Sequence, residues 1–309
     1  MRTRLPVLCL ALLAFSGCDF EEAGYLRATE KAFHHSYPLK AGGRISVENF
    51  NGSVEVTGWD QEKVQIDGTQ YASTAALRDA IQIEIGTAPD AVRVRTVLPT
   101  GRRGNMGVSY VIKVPKRCKV DPVTSTNGTV RVEDIEGSVR VRSTNGAARF
   151  ASIRGALEAG TTNGPVDVRG LDGPAAIRTS NGGVQGEGIQ GAFDATTTNG
   201  AIRVHIARTE PRQKVRLGTS NGGIDLTVDT WNETDIRAST SNGGVTVKLP
   251  AATAGRLRAH TSNASVSSDF DVSNRSAGKH SLEGEIGSKS GSAIIDLSTS
   301  NGNIRVQRL

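Results

Sequence analysis

The stretch STNGTVRVEDIEGSVRVRSTNG, Ser125–Gly146, opens and closes on the same four residues, 18 positions apart. The motif returns as TTNG at Thr161, TSNG at Thr179, TTNG at Thr197, and TSNG at Thr219, Thr240 and Thr299. Its asparagines are Asn127, Asn145, Asn163, Asn181 and Asn199 at steps of 18, then Asn221, Asn242 and Asn263 at steps of 22, 21 and 21. Asn301 follows after 38 residues, about two coils on. A period near 20 marks a solenoid, whose repeats bury their apolar faces only by stacking on one another.

The rows inside the repeat agree. Val130, Ala148, Val166, Val184 and Ile202 stand three residues after successive asparagines. Val132, Phe150, Val168, Gly186 and Val204 stand at five, and Ile135, Ile153, Leu171 and Ile189 at eight. Gly137, Gly155, Gly173 and Gly191 form a second glycine row at ten, followed by apolar rows at twelve and fourteen. Alternation on both sides of a glycine corner predicts two short strands per coil. The outward rows alternate in sign between coils. Glu136, Arg154 and Asp172 form one, Arg149 and Asp167 another, Arg140 and Glu158 a third. In a parallel stack these are cross-strand neighbours, where opposite charges help.

The Asn-Gly pair suits a corner because both residues tolerate positive φ. Counting by twos from Val141 places Ser143 and Asn145 inward, so the amides are expected to stack inside the corner as a satisfied polar ladder. Aromatic residues make up 4% of the 309 and there are 36 glycines, which fits small-cornered coils better than a bulky core. The formal charge is +6, or about +4 without Arg2 and Arg4, and it is dispersed. No basic run with interleaved aromatics points to nucleic acid.

Residues 1–17 read as a leader: the basic MRTR, then a short apolar stretch, Leu5–Phe15. Phe15-Ser16-Gly17-Cys18 resembles the lipobox of bacterial lipoproteins, with Phe15 where Leu is usual. The resemblance implies that Cys18 becomes the lipidated N-terminus, an anchor rather than a span. The alternative is an ordinary secretory leader. Cys9 leaves with the leader, so Cys118 is the only thiol with which Cys18 could pair. Asp19 resembles the inner-membrane retention signal of enteric bacteria.

Residues 18–40 read as a tether and first strand, with His34 and His35 placed in the tether. Residues 41–122 form an irregular β segment capping the solenoid. It holds an early coil around Asn51-Gly52, a short helix at Ser73–Ala80 with a Ser or Thr cap, and a basic hairpin turn at Gly101–Gly104. Residues 123–265 are the regular coils, with longer corners at Thr209–Lys214 and Thr230–Asp235. Residues 266–309 hold C-terminal coils and a cap, with an irregular excursion at Asp269–Gly278.

GRISVENFNGSVEVTGWDQEKVQI, SYVIKVP, the opening stretch and IIDLSTSNGNIRV together resemble the bacterial putative-adhesin family, a domain of unknown function in cell-envelope proteins. The likeness runs from about residue 41 to the end. It implies a parallel β-helix-like solenoid and carries no catalytic residues.

The remaining motifs weaken on inspection. Gly186–Gly191 matches GxGxxG but no helix pattern follows it, as dinucleotide binding requires. Asn-Gly-Gly at Asn181, Asn221 and Asn242 lacks the Asp of calcium-binding repeats. Asp167, Glu187, Asp194 and Asp225 are the carboxylates a polysaccharide-cleaving β-helix would use, but no row stacks two acids on adjacent coils. His34, His35, His205, His260 and His280 lack metal-ligand spacing and read as surface residues. The outward Ser/Thr row (Thr144, Thr162, Ser180, Thr198 and on to Ser262) resembles an ice-binding array but mixes residue types beside charges. Trp59 and Trp231 are too far apart for a sugar platform.

The expectation is an all-β chain: a single-stranded parallel β-helix or solenoid with 18–22-residue coils and an Asn-Gly corner ladder, right-handed on the strength of its inward Asn corners, although 18-residue coils also suit left-handed winding. About nine coils at ~4.8 Å give a rod of about 43 Å. No cofactor, metal or catalytic residue is expected. The expected function is non-catalytic binding or scaffolding in the bacterial envelope, lipid-anchored at Cys18 on the inner or outer membrane or the cell surface, with a protein or glycan partner. The alternatives are a polysaccharide-active enzyme and an accessory of an envelope-stress signalling system.

Overall fold

The computed structural model describes residues 29–101, 104–287 and 292–309. Residues 1–28, which hold the leader, Cys18, Asp19 and the start of the tether, lie outside them, as do Arg102 and Arg103 of the expected hairpin turn. The chain is all-β apart from one short helix, Ala75–Asp79, capped by the Thr74 hydroxyl, which accepts the Leu77 N–H.

Strands are short because each must turn after spanning one wall of the core. They alternate between a 13-stranded and a 14-stranded sheet. Lys119–Ser125 lies in the larger sheet, Val130–Glu136 in the smaller, Val139–Ser143 in the larger again, and so on to Val245–Leu249. Through this stretch every neighbour pairing is parallel. Such a two-walled stack of coils is consistent with a β-solenoid. The expected register holds: Val166 lies opposite Ala148 and Val184, and Phe193 opposite Ala175 and Val215. The apolar rows fill the space between the sheets, and nearly all are buried.

The corners differ from expectation in two ways. Gly52 and Gly128 have positive φ, but from Asn145 onward neither the ladder Asn nor its following Gly does. Glycine is required there by close approach instead. A Cβ on Gly164 would lie 2.0 Å from the Gly146 carbonyl oxygen, and one on Gly182 would lie 1.9 Å from that of Gly164. The opposite corner needs both properties: Gly155 has φ +138°, and its Cβ would lie 2.5 Å from the Gly137 oxygen. Second, the asparagines point outward. Alternation stops at the corner, where Thr144 and Asn145 are both exposed and Gly146 is buried. The inward polar row is the Ser/Thr row that begins each motif. Thr161 Oγ1 donates to the Gly146 carbonyl at 3.1 Å and accepts the Gly164 N–H at 3.2 Å. Thr179, Thr197, Thr219 and Thr240 repeat the carbonyl contact at 2.8–3.0 Å.

A second irregularity lies within one wall. Asp134, Ser152, Gly170 and Gly188, 18 residues apart, all have φ between +54° and +65°. This left-handed residue is a bulge that turns two consecutive side chains outward. It is why the inward rows step from five to eight after the asparagine. The row ends at Ile202–Arg208, where the register shifts.

Both ends interleave, contrary to simple sequential stacking. The early coil, Arg44–Glu48 with Val54–Trp59, lies between Ala91–Val97 with Met106–Pro115 and Lys119–Ser125 with Val130–Glu136. At the other end Ile294–Thr299 and Ile304–Arg308 insert between the coil of Asn242 and the coil of Asn263. The ladder order is therefore Asn242, Asn301, Asn263. Antiparallel strands close the stack: Thr29–Pro38 and Lys63–Ala72 at the first end, Val272–Ala277 and Ser281–Ile286 at the last. The expected irregular excursion at Asp269–Gly278 thus contains a paired strand. His34 and His35 belong to the strand Thr29–Pro38, not to the tether.

Two glycines separate these causes. Gly164→Ala is expected to cost about 1–3 kcal/mol, because backbone must move to admit the methyl group. Gly160→Ala, with its nearest neighbour 4.0 Å away at Arg178 O, is expected within about 0.5 kcal/mol of wild type. Equal urea midpoints for the two variants would contradict the close-approach explanation.

Candidate functional site

The outward surfaces of the coils carry the groups available for recognition. The asparagine ladder runs along one corner. Asn145 Nδ2 donates to Asn127 Oδ1, Asn163 to Asn145, Asn181 to Asn163 and Asn199 to Asn181, each at 2.7 Å. It continues through Asn221, Asn242, Asn301 and Asn263 at 2.7–2.8 Å. At the first end Asn127 donates to Asn51 at 2.7 Å, and Asn51 donates to the Met106 carbonyl. Asn51 therefore joins the ladder although 76 residues separate it from Asn127. The signal was present in its NFNG context, where Asn49 occupies the Ser/Thr position and its amide reaches the Val108 carbonyl. Phe50 then replaces the outward hydroxyl and is 48% exposed.

The expected charge pairs form in part: Arg154 lies opposite both Glu136 and Asp172 but makes an ion pair only with Glu136 among the described residues, and Arg149 faces Arg131 as well as Asp167. Arg140 bonds Glu158 at 2.9 Å, Arg154 bonds Glu136 at 3.0 Å, and Arg149 approaches Asp167 at 3.5 Å. The Arg140 guanidinium, helped by Arg142, holds the Glu158 carboxyl below its ordinary range. Of the four candidate carboxylates, Asp167, Glu187 and Asp225 face one shallow groove of about 480 Å³ on the smaller sheet. Asp194 lies in the other sheet, opposite Arg216.

Glu187 and His205 of that groove join Asp229, which does not line it, in a constellation that sequence reading passed over. His205 Nδ1 lies 2.7 Å from Glu187 Oε1, and its Nε2 lies 2.7 Å from Asp229 Oδ2. The three side chains come from consecutive strands, Val184–Gln190, Ile202–Arg208 and Ile224–Thr230. Both ring nitrogens can donate only when the imidazole is protonated. Glu187 first, then Asp229, raise the His205 pKa. Glu187 and His205 are 18 residues apart, one coil, so half of the pair was visible in the spacing. Asp229 was not, because the following coil is longer and Thr227 stands opposite His205.

The remaining candidates have structural explanations. In the GxGxxG match, Gly186 lies against the Phe193 ring, Gly188 occupies the bulge with φ +65°, and Gly191 turns the corner with φ +126°. His34 bonds Asp67, and His280 bonds the Ala264 carbonyl. Cys118 is buried and has no disulfide partner among the described residues, its thiol pushed up to about 12 by burial. Among the described residues no group of three or more His, Cys, Asp or Glu is gathered to hold a metal ion.

No protein-family model matches the chain, and no curated protein matches it. Several solved structures align along most of its length. A putative lipid binding protein from Parabacteroides distasonis shows 13% identity and a TM-score of 0.44, over 89% of this chain and 96% of that one. A putative adhesin from Bacteroides fragilis shows 12% and 0.32, over 89% and 97%. A putative cell adhesion protein from Clostridium sporogenes shows 11% and 0.23, over 90% and 100%. Scores this low carry no argument about what the chain does.

Two measurements test this surface. Water can satisfy an outward amide, so Asn163→Ala is expected to cost only about 0.5–1.5 kcal/mol, whereas burying the Gly164 carbonyl without its donor in Thr179→Val should cost about 1–3 kcal/mol. The reverse order in urea titrations would place the polar stress on the wrong row. For His205, a pKa raised by folding contributes stability that is fully present below about 6.5 and disappears as pH rises through the raised value. The difference in urea midpoint between wild type and His205→Gln should therefore shrink with rising pH. A difference that grows would contradict an imidazolium bridge.

Proposed function

We propose that the protein is a non-catalytic, adhesin-like binding or scaffolding module of the bacterial cell envelope, anchored through lipid on Cys18. What carries the reading is the mutual pairing of charge along rigid outer faces. Each carboxyl with a resolved shift, Asp67, Glu158 and Glu283, is held below its ordinary range by a basic or hydrogen-bonding neighbour. General acid catalysis on a glycan calls for the opposite, a carboxyl kept protonated near neutrality. Long, flat faces presenting hydroxyls, amides and paired charges suit a protein or glycan partner contacted along several coils. We assign the winding as a right-handed single-stranded parallel β-helix, the hand that parallel crossovers favour.

The Glu187–His205–Asp229 constellation gives the enzymatic alternative its best footing. If Glu187→Gln or Asp229→Asn abolished a measurable cleavage of an envelope polysaccharide, the non-catalytic reading would fall. Anchoring is tested by growing the producing bacterium on an alkyne-tagged fatty acid. The wild-type chain is expected to take up label and sediment with membranes, while Cys18→Ser remains unlabelled and soluble. Equal labelling of the two would remove Cys18 as the anchor.

A further inference from the structure

Five of the ten lysines lie around one corner of the first end of the stack. The backbone brings them together: Pro38 pairs with Lys63, Gly42 N–H reaches the Arg117 carbonyl, and the N–H of Lys119 reaches the Gly43 carbonyl at 2.8 Å. The cations are Lys40, Lys63, Lys113, Lys116, Arg117 and Lys119. Only Lys116 has an ion-pair partner among the described residues, Asp60 at 3.0 Å. Some coil arginines, such as Arg140, Arg154 and Arg203, are matched by carboxylates on the neighbouring strand, while other coil cations, such as Arg169, Arg178 and Arg216, stand singly without an ion-pair partner among the described residues; what sets this corner apart is that its cations are gathered around one indole. Trp59 stands in the patch. Its indole N–H is satisfied by the Lys63 carbonyl at 2.9 Å, and the ammonium groups of Lys63 and Lys113 lie 5.4 and 5.8 Å from its ring.

We propose that this corner is a docking surface for the phosphate headgroups of an anionic phospholipid membrane. Two ammonium groups held beside one indole repel each other, and a phosphodiester oxygen between them relieves that repulsion. The cations are spread around a corner rather than converging on a point, which fits a plane of headgroups better than a single small anion. Juxtamembrane lysines and a tryptophan with its N–H satisfied are the groups that settle at a charged membrane interface. The strand Thr29–Pro38 lies at this same end of the stack, with Pro38 beside the patch at Lys63 and Thr29 at the asparagine corner opposite Ala72, so the chain preceding Thr29 joins the same end but not the same corner. The orientation that follows, a rod standing on its first end, rests on the anchoring proposed above; the headgroup contact does not. An acyl chain and a basic surface together hold a protein more firmly than either alone.

The test uses residues 19–309, which retain every described element and lack Cys18, so no acyl chain contributes. Partition is measured by co-sedimentation with vesicles of neutral phosphatidylcholine, and with vesicles containing one quarter phosphatidylglycerol, at 0.1 M and 0.5 M salt. The chain is expected to bind the anionic vesicles at 0.1 M salt and to release from them at 0.5 M. Each lysine removed should weaken partition about fivefold, so Lys63→Gln with Lys113→Gln gives about 25-fold. Lys214→Gln with Lys248→Gln removes the same charge from the coils and should change nothing; circular dichroism confirms that both variants remain folded. Equal binding to neutral vesicles, no binding to anionic ones, or an equal loss in the coil variant would each overturn the proposal. Because Cys18 is absent, acylation can fail while docking holds, and docking can fail while acylation holds.

Discussion

The structure depends on backbone meeting backbone at the Asn-Gly corner. A glycine carbonyl of one coil occupies the space where the next coil's Cβ would be, about 2 Å away at Gly164, Gly182 and Gly200. That contact lets the strand spacing continue around the corner without opening. Once the corner is that tight, its polar groups must be satisfied by the adjacent coil. The inward Thr hydroxyl meets the glycine carbonyl, and Asn163 N–H meets the Thr144 carbonyl at 2.8 Å. The outward amides then fall into register. The conspicuous asparagines are thus a consequence of the corner, and the inconspicuous glycine and threonine rows set it.

Much of this was legible because a solenoid writes its contacts into its period. Arg149 opposite Asp167, and Arg140 opposite Glu158, follow from 18-residue counting alone. The direction of Asn145 did not follow, because counting by twos assumes an extended chain and the corner is not extended. The bulge at Ser152 was hidden in the same way: the step from Phe150 to Ile153 is odd, and only a left-handed residue lets both point inward. The interleaved ends were illegible for a different reason. Which coil lies on which is a long-range pairing, and the coils at Asn263 and Asn301 carry nearly the same local signal.

Interleaving has a physical use. The last coil in the sequence, Ile294–Thr299 with Ile304–Arg308, is flanked by coils on both sides and so is paired on both edges. The outermost coils are in turn joined to antiparallel strands that cannot extend the coil repeat. Exposed strand edges invite pairing with other chains, and this arrangement shortens them. Against this regular body, departures are informative. His205 bridges three strands where the bulge row ends and the coils lengthen. The lysines around Trp59 are gathered, where the unpaired cations of the coils are scattered. The lysine patch lies outside the regular coils, whereas the His205 bridge is built on three of their strands.

Residue-level hydrogen exchange at the corners tests the central claim most directly. Turns on a surface ordinarily exchange fast, whereas these are bonded from coil to coil. The backbone amides of Asn145, Asn163, Asn181 and Asn199 accordingly should exchange as slowly as those of the buried strand residues Val166 and Val184, with a common dependence on urea. Exchange of the asparagine amides at the rates of open loops, while the strands stay protected, would show that the corners are not locked and that the stack is held by its walls alone.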